Sequence, residues 1–225
     1  MPTLTVAQEI KAVGPWLSTF PKHGITTGGT YDPVGDPRVT RFFEVFPNVQ
    51  RILELGSFEG GHTLALAEHP GVSRVVGLES RDANLKKSAL LRRLVPMPNA
   101  AFSQCNLETV SLQSYGQFDA IFCCGLLYHL PDPIKLLKQF AGAAPNIYIG
   151  THYAIEVDIE VNGVRGSVYK EHGLKDTLSG MSMTSLWLTL DCLLSTLTEC
   201  GYEILSSDPV PHGHGPFVNI FAKLK

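Results

Sequence analysis

Residues Arg51–Glu79 read RILELGSFEGGHTLALAEHPGVSRVVGLE. An apolar run, Ile52 to Leu55, breaks at Gly56, turns through Ser57 to Gly61 and continues as a helix-like stretch from His62 to His69. A second apolar run, Val75 to Leu78, ends on Glu79. Strand, glycine turn, helix, strand and acid make half of an open α/β unit of the kind that binds nucleotides beyond its strand ends.

The turn decides which nucleotide. A dinucleotide fingerprint, G-x-G-x-x-G, needs its second glycine so that backbone amides can close on a pyrophosphate. Gly56 fills the first position and Gly61 the last, but Phe58 stands where the second glycine belongs. A diphosphate is therefore a poor guest, and an NAD-dependent oxidoreductase is disfavoured. A nucleoside without phosphates needs only room in the turn and an acid to meet a cation, which Glu54 and the spacing Gly56-x-x-x-Gly60 supply.

On these residues the chain resembles the class I S-adenosylmethionine (SAM)-dependent methyltransferases, whose first motif is an apolar strand, an acid and a glycine turn of the form E-x-G-x-G-x-G. The resemblance implies a Rossmann-like α/β fold, a mostly parallel seven-stranded sheet with helices on both faces and an insertion after the fifth strand. It implies SAM as cofactor, with Glu54, Gly56, Ser57, Phe58 and Gly60 around it. Glu79, followed by Ser80, matches the acid that accepts from both ribose hydroxyls. Asn106, with Leu107, stands where the family more often has Asp to hold the adenine amino group.

Further along, GLLYHLPDP (125–133) resembles the motif after the fourth strand, in particular that of enzymes modifying the tRNA wobble uridine, which also carry a loop like Trp16 to Tyr31. By that resemblance Cys124 and Tyr128 flank the adenosine and methionyl parts of the cofactor and His129 faces the substrate. Ordinary SAM is expected rather than a carboxylated cofactor, because no added basic residues for an extra carboxylate can be placed.

At 225 residues one α/β domain is expected. Its segments are 1–48 (N-terminal helices and a lid-like loop), 49–152 (cofactor core), 153–183 (substrate-side insertion) and 184–225 (C-terminal helix and hairpin). Charged residues are 17% and the net charge is -3, which gives no overall positive field for nucleic acid. Apolar stretches are strand-sized and Met1 to Lys11 lacks a leader pattern, so a soluble cytoplasmic protein without membrane association is expected. The five cysteines include adjacent Cys123 and Cys124 and no C-x-x-C, which reads as reduced, packed thiols.

Local patterns fill in the rest. Asp36-Pro37 caps a helix through Phe46; Ser80-Arg81-Asp82 opens one to about Leu94, with Lys86, Lys87, Arg92 and Arg93 on exposed positions. Ala101 to Cys105, Phe118 to Cys124 and Asn146 to Gly150 read as strands, and Asp132-Pro133 caps a helix to about Ala141. The insertion has no clear period, but Val161-Asn162-Gly163-Val164 reads as a hairpin turn. From Thr184 a helix is expected, Ser185 its cap and Trp187 near its start, then two strands around Glu203 to Leu205 and Phe217 to Ala222.

Methyl transfer is an in-line displacement, so the protein must align an acceptor and, where needed, remove its proton. Imidazole is the natural base near neutral pH. His129 and His152, at the ends of the fourth and fifth strands, are the catalytic candidates, with hydrogen-bonded rim residues as the alternative role. His62 reads as a helix-surface or backbone-contact residue, and His212-Gly213-His214 as a polar turn, so no required metal is expected. The expected partner is a small-molecule acceptor methylated on oxygen or nitrogen, with nucleic acid disfavoured and a homodimer left open. The alternatives are a tRNA wobble-uridine methyl or carboxymethyl transferase and a non-catalytic SAM-binding protein.

Overall fold

The computed structural model describes residues 4–225; residues 1–3 of the expected N-terminal segment lie outside the described residues. Helix α1 (Val6–Ala12) starts with a reciprocal cap between Thr5 and Gln8. Helix α2 (Pro37–Val45) starts as its sequence predicts: Asp36 accepts from the Arg38 N–H, and Pro37 occupies a first-turn position that needs no N–H.

Strand β1 (Arg51–Leu55), helix α3 (Gly61–Ala67) and strand β2 (Arg74–Glu79) confirm the opening stretch, followed by α4 (Asp82–Leu94) and β3 (Ala100–Gln104). β1 and β2 are parallel, with Leu53 opposite Val76. Both are buried almost throughout, as strands covered on both faces must be. One expectation fails on α4. Lys87 is buried, 3% exposed, and its Nζ lies 2.7 Å from Oε1 of Glu59, which is fully buried. Glu59 also accepts from the backbone N–H groups of Leu17 and Ser18, so the partner of Lys87 anchors the N-terminal loop.

Residues 106–225 contain β4 (Ala120–Cys124), α5 (Pro133–Leu137), β5 (Asn146–His152), β6 (Ile159–Val161), β7 (Val164–Lys170), β8 (Thr184–Leu188), α6 (Leu190–Glu199), β9 (Tyr202–Val210) and β10 (Phe217–Leu224). Seven strands form one sheet in the order β3-β2-β1-β4-β5-β10-β9, with β10 antiparallel to both β5 and β9. The fold is thus the expected mostly parallel α/β sheet. A separate sheet, β6-β7-β8, is built largely from the insertion. Its first turn is the expected one, with Asn162 and Gly163 both in the left-handed region at φ 52° and 80°.

Two helix boundaries differ from expectation. α5 ends at Leu137 rather than near Ala141, giving way to a 3-10 turn at Phe140–Gly142. The helix expected from Thr184 begins only at Leu190; Thr189, not Ser185, caps it by accepting from the Cys192 N–H. Residues 184–188 are a strand because Ser185 to Leu188 pair with β7, and Trp187 therefore lies in a sheet.

Candidate functional site

The glycine turn after β1 has the geometry of a ligand turn. Gly60 caps α3 at φ 85°, and a Cβ there would come within 3.0 Å of Phe102 and Ser88. Phe58 takes the left-handed conformation, φ 50°, that the family's glycine would take freely, which costs about 1 kcal/mol in a non-glycine residue. That conformation aims its N–H at Glu79 Oε2, 2.9 Å away, while Arg81 N–H donates to Oε1 at 2.8 Å. The Glu79 carboxylate at the end of β2 is thus fixed by two backbone donors. Burial raises its pKa, against the pull of hydrogen bonds from Arg81, Phe58, Asn84 and Ser80. Ser57 Oγ, beside the turn, is buried and makes no hydrogen bond among the described residues.

Glu54 is more deeply placed than the sequence suggests. It is 2% exposed, and Thr63 Oγ1 donates to it. Burial pushes its carboxyl up to about 8, only partly offset by Thr63, with Glu79 adding to the rise. His62 is not a plain surface residue either. Its Nε2 lies 2.9 Å from Asp36 Oδ2 and 2.8 Å from the Tyr31 hydroxyl, which itself bonds Asp36, with Arg38 Nε on the same carboxylate at 2.9 Å.

In residues 106–225, Asn106 Oδ1 accepts from the Glu108 N–H at 2.9 Å, closing a local turn, and Leu107 is buried. Cys124 ends β4 with its Sγ 3.9 Å from the Tyr148 hydroxyl. The 3-10 turn Leu127–His129 then presents Tyr128 and His129 with ring centroids 4.1 Å apart. His152, at the end of β5, packs edge-on to Tyr128 at 4.6 Å and lies flat against Trp187 at 4.8 Å, so the structure brings both candidate histidines to the same tyrosine. His152 Nδ1 donates to the Pro216 carbonyl at 3.0 Å, and burial lowers its pKa. Trp187 stacks on Tyr169 as well, and its buried Nε1 has no hydrogen-bond partner among the described residues.

Sequence reasoning missed Glu171. It follows β7, is 2% exposed, and places Oε1 2.9 Å from His129 Nδ1. Burial would raise its pKa, but bonds from Ser179, Gly180 and His129 outweigh that and hold it below the ordinary value, so the carboxylate is ionised and Nδ1 donates to it. An acid in an aperiodic run, KEHG, carries no sequence signal of burial. His212 packs on His152 at 4.7 Å, and among the described residues no group of three His, Cys, Asp or Glu could hold a metal ion. Nor, among the described residues, is any helix long and apolar enough to cross a membrane.

A family model described as "Methyltransferase domain" matches residues 28–173. The N-terminal domain of EvdMO1, solved in the presence of SAH (S-adenosylhomocysteine) and D-fucose, is 31% identical; the match covers 97% of this chain and 95% of that one, with a TM-score of 0.84. A tRNA U34 carboxymethyltransferase from Alcanivorax borkumensis is 33% identical over 94 residues, 42% of this chain and 29% of that protein. A ubiquinone biosynthesis O-methyltransferase from Albidiferax ferrireducens is 27% identical over 92 residues, 41% of this chain and 36% of that protein. The chain thus spans about a third of the length of these curated relatives.

Proposed function

We propose, from the premise that this chain belongs to the family of methyltransferase domains, that its acceptor is a small molecule carrying a hydroxyl group, such as a sugar. The chain is a SAM-dependent methyltransferase. Bound SAM supplies an activated methyl group on a sulfonium. The residues fit such a ligand: Ser57 Oγ is buried beside the turn without a partner among the described residues, the Gly60 position has no room for a side chain, and Glu79 is held at the strand end.

In this reading Gly56, Ser57, Phe58 and Gly60 shape the turn, and Glu79 with Ser80 receives the ribose. Glu54 lies behind them, where a cationic ligand would draw it towards ionisation. In residues 106–225, Asn106 and Leu107 are assigned to the adenine, and Cys124 and Tyr128 to the rest of the cofactor. His129 is the general base and His152 part of the aromatic wall with Tyr128 and Trp187, the mixture of rings and few polar atoms that suits a small ligand. His129 would take the proton of the acceptor hydroxyl as bound SAM supplied the methyl, the sulfur keeping the electron pair of the carbon–sulfur bond.

The observation that carries the acceptor class is the likeness over 97% of the chain to a domain solved in the presence of D-fucose. The second reading, transfer to tRNA, is favoured by the 33% identity to the U34 carboxymethyltransferase, but that likeness covers 42% of the chain. The net charge of -3 offers no general attraction for a polyanion. Incubation with methyl-labelled SAM and, in parallel, D-fucose, other deoxyhexoses and bulk tRNA tests the proposal. Label in a sugar is expected; label in the tRNA alone overturns it in favour of the second reading.

A further inference from the structure

The Glu171 carboxylate is fully engaged on both oxygens. Oε2 accepts from the Ser179 hydroxyl and, at 2.9 Å, from the Gly180 N–H; Oε1 accepts from the Ser185 hydroxyl and from His129 Nδ1, both at 2.9 Å. The donors other than His129 come from the loop after β7 and from β8, and that part of the chain is seated directly on the turn that carries His129. A Cβ on Gly180 would lie 2.3 Å from the His129 carbonyl oxygen, and Leu186 N–H donates to the Leu130 carbonyl at 2.9 Å. The carboxylate is therefore built into the scaffold rather than left on a flexible side chain.

We propose that Glu171 is the positioning residue for His129: by accepting from Nδ1 it holds the imidazole in the tautomer and orientation in which Nε2 carries the lone pair that takes the acceptor's proton. This rests on His129 being the base. The physical reason is that a neutral imidazole has one N–H and one lone pair, and a carboxylate, which only accepts, fixes the N–H on the nitrogen facing it. The same negative charge stabilises the imidazolium formed when the proton arrives. Other groups near this ring include Tyr128, whose ring is tilted against it at 4.1 Å, and His152, whose pKa the charge of His129 lowers. Both are present with or without the Glu171 charge.

Glu171→Gln makes the idea testable without an acceptor. The Gly180 backbone N–H can only donate, so it retains the amide oxygen and turns the NH2 towards His129 Nδ1, which must then accept. Nitrogen NMR of 15N-labelled protein, with His129→Gln identifying the resonances, should show the Nδ1–H tautomer in the wild type and the Nε2–H tautomer in Glu171→Gln. The titration midpoint of His129 should fall by about one pH unit in the variant, the usual effect of removing an opposite charge at this distance.

In turnover, kcat should fall about 10- to 100-fold with KM nearly unchanged, the scale expected for loss of an orienting partner. The acidic limb of the kcat–pH profile should move to lower pH. A wild-type Nε2–H tautomer, or an unchanged tautomer and midpoint in Glu171→Gln, overturns the proposal. Should that variant fail to fold, Glu171→Asp, which keeps the charge but withdraws it by one methylene, should lower the midpoint by a smaller amount, and no change overturns the proposal equally. Failure of the base assignment reads differently: His129→Gln would then turn over at the wild-type rate whatever the tautomer.

Discussion

Asp36 and Glu171 each hold a histidine at 2.9 Å, His62 in residues 1–105 and His129 in residues 106–225, yet their other partners differ in kind. Asp36 also receives the Arg38 guanidinium, the Tyr31 hydroxyl and the first-turn N–H of α2. Its carboxyl is held far below the ordinary range, because bonds to His62 and Arg38 outweigh the opposing effect of burial. Besides His129, Glu171 receives two serine hydroxyls and a backbone N–H, all neutral. A carboxylate already matched by arginine serves as a latch, whereas one steadied by neutral donors directs its charge at the imidazole. The same residue pair can therefore be structural or chemical, and the remaining donors distinguish the two.

The strongest way to break this comparison is to exchange each histidine for glutamine. His129→Gln should lower kcat by about 10²- to 10⁴-fold, the range for removing a general base, with SAH affinity measured by calorimetry retained. His62→Gln should leave kcat within about twofold and lower the melting temperature instead. Comparable losses of kcat in both variants would remove the distinction.

A smaller effect is expected at the latch itself. Asp36→Asn should cost about 2 kcal/mol in denaturant unfolding at pH 7, because Arg38 and His62 lose their shared anion. The folded pKa of Asp36 lies below its unfolded value, so its contribution is complete above the ordinary Asp range, begins to decline within it and is lost only as the pH falls on through the folded pKa. His62 acts in the same direction: burial lowers its pKa, so below about 6.5 the unfolded chain takes up a proton more readily than the folded one. The stability gap between wild type and Asp36→Asn should thus narrow in acid without closing, which unfolding curves at pH 7 and pH 3 would show.

The smallest effect sharpens the comparison with a carboxyl that has neither latch nor target. Glu54 is raised to about 8 in the fold, so between its ordinary value and pH 8 the unfolded state sheds a proton that the folded state keeps. Wild-type stability should fall as the pH rises through that window, while Glu54→Gln should not follow. The variant should gain on the wild type by pH 8 in parallel thermal melts.

The sheet was legible because its central strands are continuous apolar runs closed by Gly or an acid, as at Ile52 to Gly56 and Val75 to Glu79. The glycine turn was legible in outline, although the conformation of Phe58 could not be read from its type. What escaped was burial of charge. Lys87 sits among basic residues on a helix, and only its distance to Glu59 separates it from its solvated neighbours. Leu186 and Leu190 stand at helical spacing across a boundary, so their pattern cannot reveal that Thr189 caps a helix and Leu186 belongs to a strand paired with β7. Glu171 is the same problem in a segment with no period at all.

Gly180 sets a rule for exchange of parts between relatives. Its α-carbon faces a carbonyl oxygen so closely that even a methyl group would be expelled, so a foreign segment grafted after β7 could vary in length and chemistry elsewhere but would need glycine at that register. A chimera that met this condition would keep the histidine on its seat while presenting a new surface to incoming acceptors.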